Sequence, residues 1–173
     1  SSVVITETWK ILPITQLTEP SYNMLFEQLA GPYYTINSDN ITGYYDVINK
    51  NPDMIKGHLK ERVTANRYEY EVGDITLDLG GTECTLFTSR EDRTTYLDAL
   101  MLIPDDVTTY NFKFKNGAFK AVNKAMLQLI VFTVTTRIQA AFDWEAGKHA
   151  DIEACTTVEE LQAIETRHPT QIV

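Results

Sequence analysis

The residues whose types could do chemistry here are three histidines, two cysteines and several paired acids. His58, His149 and His168 each stand without a second His or Cys at metal-ligand spacing, so each reads as a solvated or structural imidazole. Glu91-Asp92, Asp105-Asp106 and Glu159-Glu160 are neighbouring acids of the kind that acid–base catalysis uses. Two of these pairs fall where a helix should begin, and negative charge there complements the helix dipole, so capping explains them better. Asp39, Asp46 and Asp53 sit among oxygen-bearing neighbours but not at calcium-loop spacing. Cys84 and Cys155 are far apart; two buried reduced thiols is the preferred reading, and a disulfide between them stays open. No phosphate loop, dinucleotide fingerprint or Gly-x-Ser-x-Gly elbow occurs, and Gly80-Gly81 reads as a turn. The sequence therefore predicts no catalytic, cofactor-binding or metal-ligating residue, and a protein that is not an enzyme.

The residues with a functional flavour are Tyr33, Tyr34, Tyr44 and Tyr45, which lie among Asn, Ser and Gly. Tyrosines in such company serve protein–protein contacts and carbohydrate-binding loops, and the competing reading is that they fill a small β core. Charge narrows the partners. Fifteen Lys and Arg against 24 Asp and Glu give a net charge of -9, which repels phosphate backbones. The densest basic stretch, residues 113–124, only spreads four lysines among aromatic and small residues. Nucleic acid is not an expected partner. Neither is a membrane: the apolar run over residues 125–134 is shorter than the roughly 20 residues that cross a bilayer. No basic, apolar leader opens the chain, so a soluble protein made in the cytoplasm is expected.

The elements that must position these residues divide by texture, giving an N-terminal segment over residues 1–66 and an α+β domain over 67–173. Val3-Val4-Ile5 through Trp9 is β-branched and reads as extended. Thr18-Glu19-Pro20-Ser21 offers a helix start, and Tyr22, Leu25, Phe26 and Leu29 follow at helical spacing up to a stop at Gly31-Pro32. Residues 33–48 read as a loose hairpin or an ordered loop. After Asn51-Pro52, residues 54–63 form a short helical connector. Residues 68–72 and 75–79 alternate with period two around Gly73-Asp74, which predicts a hairpin, and residues 84–87 add a third strand after Gly80-Gly81. Ser89-Arg90-Glu91-Asp92 caps a helix carrying Tyr96, Leu97, Leu100 and Met101. A second hairpin turns at Asn116-Gly117. One long helix then covers residues 123–154, apolar on more than one side, so it either lies under the sheet and another element or packs against copies of itself through a stripe holding Val131, Val134 and Ile138. A short capped helix with Val158, Leu161 and Ile164 ends the pattern. The fold class expected is α+β: a mixed N-terminal segment, then antiparallel hairpins packed with a short helix, a long C-terminal helix and a short terminal one.

The order of elements over residues 67–165 resembles a known family. Its most specific parts are Phe142-Asp143-Trp144-Glu145-Ala146-Gly147-Lys148 and Ile152-Glu153-Ala154-Cys155-Thr156-Thr157-Val158-Glu159-Glu160-Leu161. They follow the hairpin around Asn116-Gly117 and the stretch Gly80-Gly81-Thr82-Glu83-Cys84-Thr85-Leu86-Phe87. This stretch is similar to a domain of uncharacterised function that recurs in tail-fibre and tail-associated proteins of phages and prophages. That family often carries Trp where Phe112 stands, so the aromatic slot is kept in type, and it has no catalytic motif to transfer. The resemblance implies a structural virion subunit of a bacteriophage tail, at the baseplate or fibre attachment region. Its expected partners are other tail, baseplate or fibre proteins and further copies of itself. In that reading Val3, Val4, Ile5, Trp9, Tyr33, Tyr34, Tyr44 and Tyr45 dock on a neighbour, while Val131, Val134 and Ile138 self-associate. The alternatives are a tail-fibre assembly chaperone and a receptor protein that binds or hydrolyses glycan.

Overall fold

The computed structural model describes residues 12–17 and 19–169, so the extended segment expected over residues 3–9 lies outside the described residues. The chain is an α+β protein of antiparallel hairpins and helices, and its residues cluster into two compact units.

The first unit takes residues up to His58 together with residues 156–163. Its sheet has three strands, β1 (Ile14–Leu17), β2 (Glu27–Ile36) and β3 (Ile41–Asn49), in the order β1-β3-β2. β1 runs parallel to β3 and β2 antiparallel to it. The helix expected between Pro20 and Gly31 does not form. Its signal is used up in one turn, where the Asn23 carbonyl accepts from the amides of Phe26 and Glu27 at 3.0 and 2.7 Å and the Asn23 side chain accepts from Leu25. Residues 27–36 then extend, because Tyr33, Tyr34, Thr35 and Ile36 suit a pleated surface and residues 41–49 offer a matching partner. Gly31-Pro32, expected as a stop, sits inside β2 at the register shift between Ala30 and Tyr33, and its peptide bond is cis. Gly31 has a φ of 124°, and an added Cβ would lie 2.9 Å from the Tyr33 amide nitrogen, so only glycine fits there. The hairpin reading of residues 33–48 is the one the fold adopts. Phe26, Ile55, Val158 and Leu161 are the buried apolar residues of this unit. The last two belong to α4 (Val158–Gln162), capped by a reciprocal box in which the Thr157 hydroxyl accepts from the Glu160 amide and the Glu160 carboxylate accepts from the Thr157 amide.

The second unit holds residues 59–155 and the chain after residue 163. α1 (Pro52–Val72) begins in the first unit and ends in this one. Its last turns are residues 68–72, for which the sequence predicts a strand. Alternating Tyr68, Tyr70 and Val72 look like period two, but a row of buried positions at every fourth residue, Ile55, Leu59, Val63, Arg67 and Glu71, decides for helix. Gly73 ends it against Arg137, whose Nε donates to the Tyr70 carbonyl at 2.8 Å while Thr88 Oγ1 donates to that of Val72. The helix has no basic residue in its own last turn, so Arg137 supplies that charge from elsewhere in the chain.

Two hairpins follow, β4 (Thr76–Asp78) with β5 (Glu83–Thr85), and β6 (Tyr110–Lys113) with β7 (Phe119–Val122). The Lys115 amide donates to the Thr85 carbonyl at 2.8 Å and ties the two together. Between them lies α2 (Arg90–Leu102), capped by Ser89, whose hydroxyl accepts from the Asp92 amide. α3 (Lys124–Ala154) is capped by Asn123 in the same way. The core comprises Leu79, Cys84, Leu86, Tyr96, Phe114 and Val122 with Leu127, Ile130 and Val134 of α3.

Candidate functional site

The tyrosines are built on the β2–β3 hairpin, whose register fixes where each one points. Tyr33 stands opposite Tyr44 with ring centroids 5.7 Å apart, and both are exposed. Tyr34 stands opposite Gly43 on the other face, which the pleat of β3 shares with the half-buried Tyr45 and with Val47. Tyr33, Tyr34 and Tyr44 do not fill a core. On the Tyr34 face three apolar residues are exposed: Tyr34 at 53%, Ile36, opposite the half-buried Ile41, at 74%, and Val47. β1 extends this surface through exposed Ile14, paired with Ile41, and exposed Leu17, paired with Gly43. The sequence pass missed Ile14, Leu17, Ile36 and Val47. Their signal was the β-branched alternation over residues 34–47, obscured by the undecided loop reading. Val3, Val4, Ile5 and Trp9 lie outside the described residues.

The other expected contact residues have a different fate. Val134 is only 6% exposed and sits in the chain's own core, while Val131 and Ile138 pack half-buried against it. With Tyr96, Leu97 and Arg93 of α2 they line a partly open cleft of about 200 Å³. Within the chain this side of α3 packs against α2.

A buried charge network, which no sequence motif marks, joins three helices. Glu71, with a side chain 3% exposed, accepts from Arg67 through one carboxylate oxygen and from Arg93 Nη2 at 2.8 Å through the other. Arg67 Nε donates to Glu145 at 3.1 Å, and the Thr64 hydroxyl donates to the second Glu145 oxygen. The Arg67 guanidinium also lies 4.7 Å from the Phe142 ring centre. Two carboxylates thus face two guanidiniums, and each carboxylate oxygen has a donor. Such a cluster clamps α1, α2 and α3 together. Arg67 and Glu71 meet as an i,i+4 pair only on a helix, and the alternation over residues 68–72 predicts a strand, so the sequence pattern hides the pair.

The histidines are used structurally or at the surface. His168 stacks on Tyr70 at 3.6 Å between centroids and meets the edge of Trp144 at 5.1 Å. Burial, helped by the nearby Arg137 charge, lowers its pKa and favours the neutral ring. His149 Nε2 lies 3.9 Å from Glu145, and His58 is exposed. The acid pairs behave as caps and turns. Backbone amides hold Glu160 and Asp105 below their ordinary pKa, and the first-turn backbone with Ser89 does the same for Glu91. Cys84 and Cys155 are free thiols, the first buried. Among the described residues no three His, Cys, Asp or Glu side chains gather to hold a metal ion.

Fold and surface together define an α+β protein whose charged residues close on one another inside and whose N-terminal sheet leaves an apolar face uncovered. The chain belongs to the family described as a domain of unknown function, DUF4376, which matches residues 54–166. The three-stranded sheet precedes that match. No curated protein and no solved structure matches the chain.

Proposed function

We propose that this chain is a structural subunit of a bacteriophage tail, at the baseplate or fibre attachment region, and that it works by docking its N-terminal sheet on a neighbouring tail protein. The observation that carries the docking role is the uncovered face formed by Ile14, Leu17, Tyr34, Ile36 and Val47, since exposed apolar patches of this kind mark interaction surfaces. The tail context is supported by the resemblance of residues 67–165 to phage tail-associated domains. The sheet lies ahead of the family match, so a shared domain would carry a separate, partner-reading module.

Quantitative mass spectrometry of gradient-purified particles tests this reading. A fixed copy number per particle is the expected result. Absence from particles combined with abundance in infected-cell lysate would overturn it in favour of an assembly chaperone. Replacing Tyr34 and Ile36 by Asp should leave the folded chain intact, because both side chains are exposed, and should prevent its incorporation into particles.

A further inference from the structure

α3 carries an 18-residue window with a mean hydropathy of 1.4, yet only 22% of that window is buried. The side turned away from α2 holds a second stripe, Ala125, Leu129, Phe132, Thr136, Gln139 and Asp143, which recurs every three or four residues. Phe132 is 69% exposed at its centre, on a face that includes small residues as well as Leu129. Shallow grooves flank the ring, lined on one side by Thr136, Ala140 and Asp143 and on the other by Tyr70, Ile75 and Ala140. The stripe is uncharged from Ala125 to Gln139, with Lys124 beside its first end and Asp143 at its last.

We infer that a second copy of this chain covers the stripe, α3 packing antiparallel on α3 about a two-fold axis midway between Phe132 and Thr136. That arrangement sets the Phe132 ring of each copy against Thr136 and Ala140 of the other, a bulky knob over small residues. Charge selects the direction. Antiparallel pairing brings Asp143 of one copy to the Lys124 end of the other at both ends of the seam, and the two helix dipoles oppose; parallel pairing sets like charges together. A lipid surface suits the stripe less well. Thr136, Gln139 and Asp143 lie along its length, with Gln139 donating to Asp143 at 2.8 Å, and the net charge of -9 opposes anionic headgroups. The seam is about 27 Å long at 1.5 Å per residue, so the interface sits at the small end of specific ones and the dimer should dissociate on dilution.

Sedimentation velocity of the full chain over a range of concentrations tests this inference. A reversible monomer–dimer equilibrium is expected. Phe132→Glu should weaken it by about 10- to 100-fold, as loss of a central aromatic anchor does, with an unchanged circular dichroism spectrum because the ring is exposed. Asp143→Lys should weaken it as well, and adding Lys124→Glu in the same chain should restore it, a recovery that a general loss of folding cannot produce. The inference is overturned if the wild type stays monomeric at every attainable concentration, if Phe132→Glu leaves the equilibrium unchanged, or if the monomer instead co-sediments with phosphatidylcholine vesicles.

Discussion

Replacing Glu71 should be among the most damaging single changes in the second unit, although no sequence motif marks it. Its carboxylate joins Arg67 and Arg93 with a side chain only 3% exposed. Taking it away orphans two guanidiniums rather than one. Breaking a buried pair by removing one partner costs about 3–5 kcal/mol. Two retained contacts pull the cost to the lower end: Arg67 keeps Glu145, and Arg93 Nε still donates to the Ser89 carbonyl at 3.2 Å. Glu71→Ala should therefore cost about 3 kcal/mol, a large share of the roughly 5–15 kcal/mol that stabilises a typical domain. Urea unfolding followed by far-UV circular dichroism reads this as a midpoint lowered by about 1.5 M, for a slope near 2 kcal/mol/M.

Glu71→Gln discriminates between causes. The amide fills the same volume, but its NH2 group presents donors to a guanidinium that has only donors. If Glu71 acts by charge and acceptor geometry, Gln should be nearly as costly as Ala. If it only fills space, Gln should be tolerated. Combining Glu71→Ala with Arg93→Ala should cost less than the sum of the two, by about 1–3 kcal/mol, since one orphaned charge leaves with its partner. Glu165 pairs with Arg167 at the surface, so Glu165→Ala should leave the midpoint unchanged. A Glu71→Gln midpoint within error of the wild type would refute the reasoning.

Two further predictions concern single titratable groups. His168 has a pKa lowered from 6.5 by burial and by Arg137, so the unfolded chain binds the proton more readily than the folded one. Its contribution is complete above pH 6.5 and is lost as pH falls below that value; His168→Phe should keep the stack on Tyr70 and flatten the stability–pH slope just below 6.5, while the slope near pH 4, owed to Glu160, Asp105 and Glu91, should persist. Of the free thiols, burial pushes that of Cys84 up, whereas Cys155 caps α3 at the surface, so a disulfide-exchange reagent should titrate Cys155 quickly and Cys84 only on unfolding; equal rates would count against the buried placement of Cys84.

Legibility in the sequence followed how local each determinant is. Ser89, Asn123 and Thr157 announce their helices because a cap needs only a side-chain oxygen and an amide three residues on. Gly80-Gly81 and Gly117 mark turns for the same local reason, each with a positive φ. The failures lie where a distant partner decides. Residues 27–36 carry a helical spacing up to Leu29, and only the pairing with β3 makes them a strand. The tyrosines were visible as a group, and strand alternation divides adjacent ones between two faces, but which residue stands opposite which depends on a pairing register, shifted between Ala30 and Tyr33, that composition does not encode. The apolar stripes of α3 could be counted, yet which one faces inward depends on where α2 comes to rest.

The row Ile55, Leu59, Val63, Arg67 and Glu71 shows what that non-local dependence accomplishes. It is one buried row of α1, apolar in its first three positions and charged in its last two. The charged end is stable there only because α2 supplies Arg93 and α3 supplies Glu145. An apolar row would accept many neighbours of similar volume, whereas a guanidinium held between two carboxylates accepts few. In this chain the charges therefore fix which helices meet, and both carboxylates of the cluster are fully occupied in doing so. Two of the exposed apolar surfaces among the described residues are the Tyr34 face of the sheet and the Phe132 stripe of α3. They lie in different compact units and on different element types, so each can be disabled by exposed substitutions that leave the buried network intact. The two surfaces can therefore be tested one at a time.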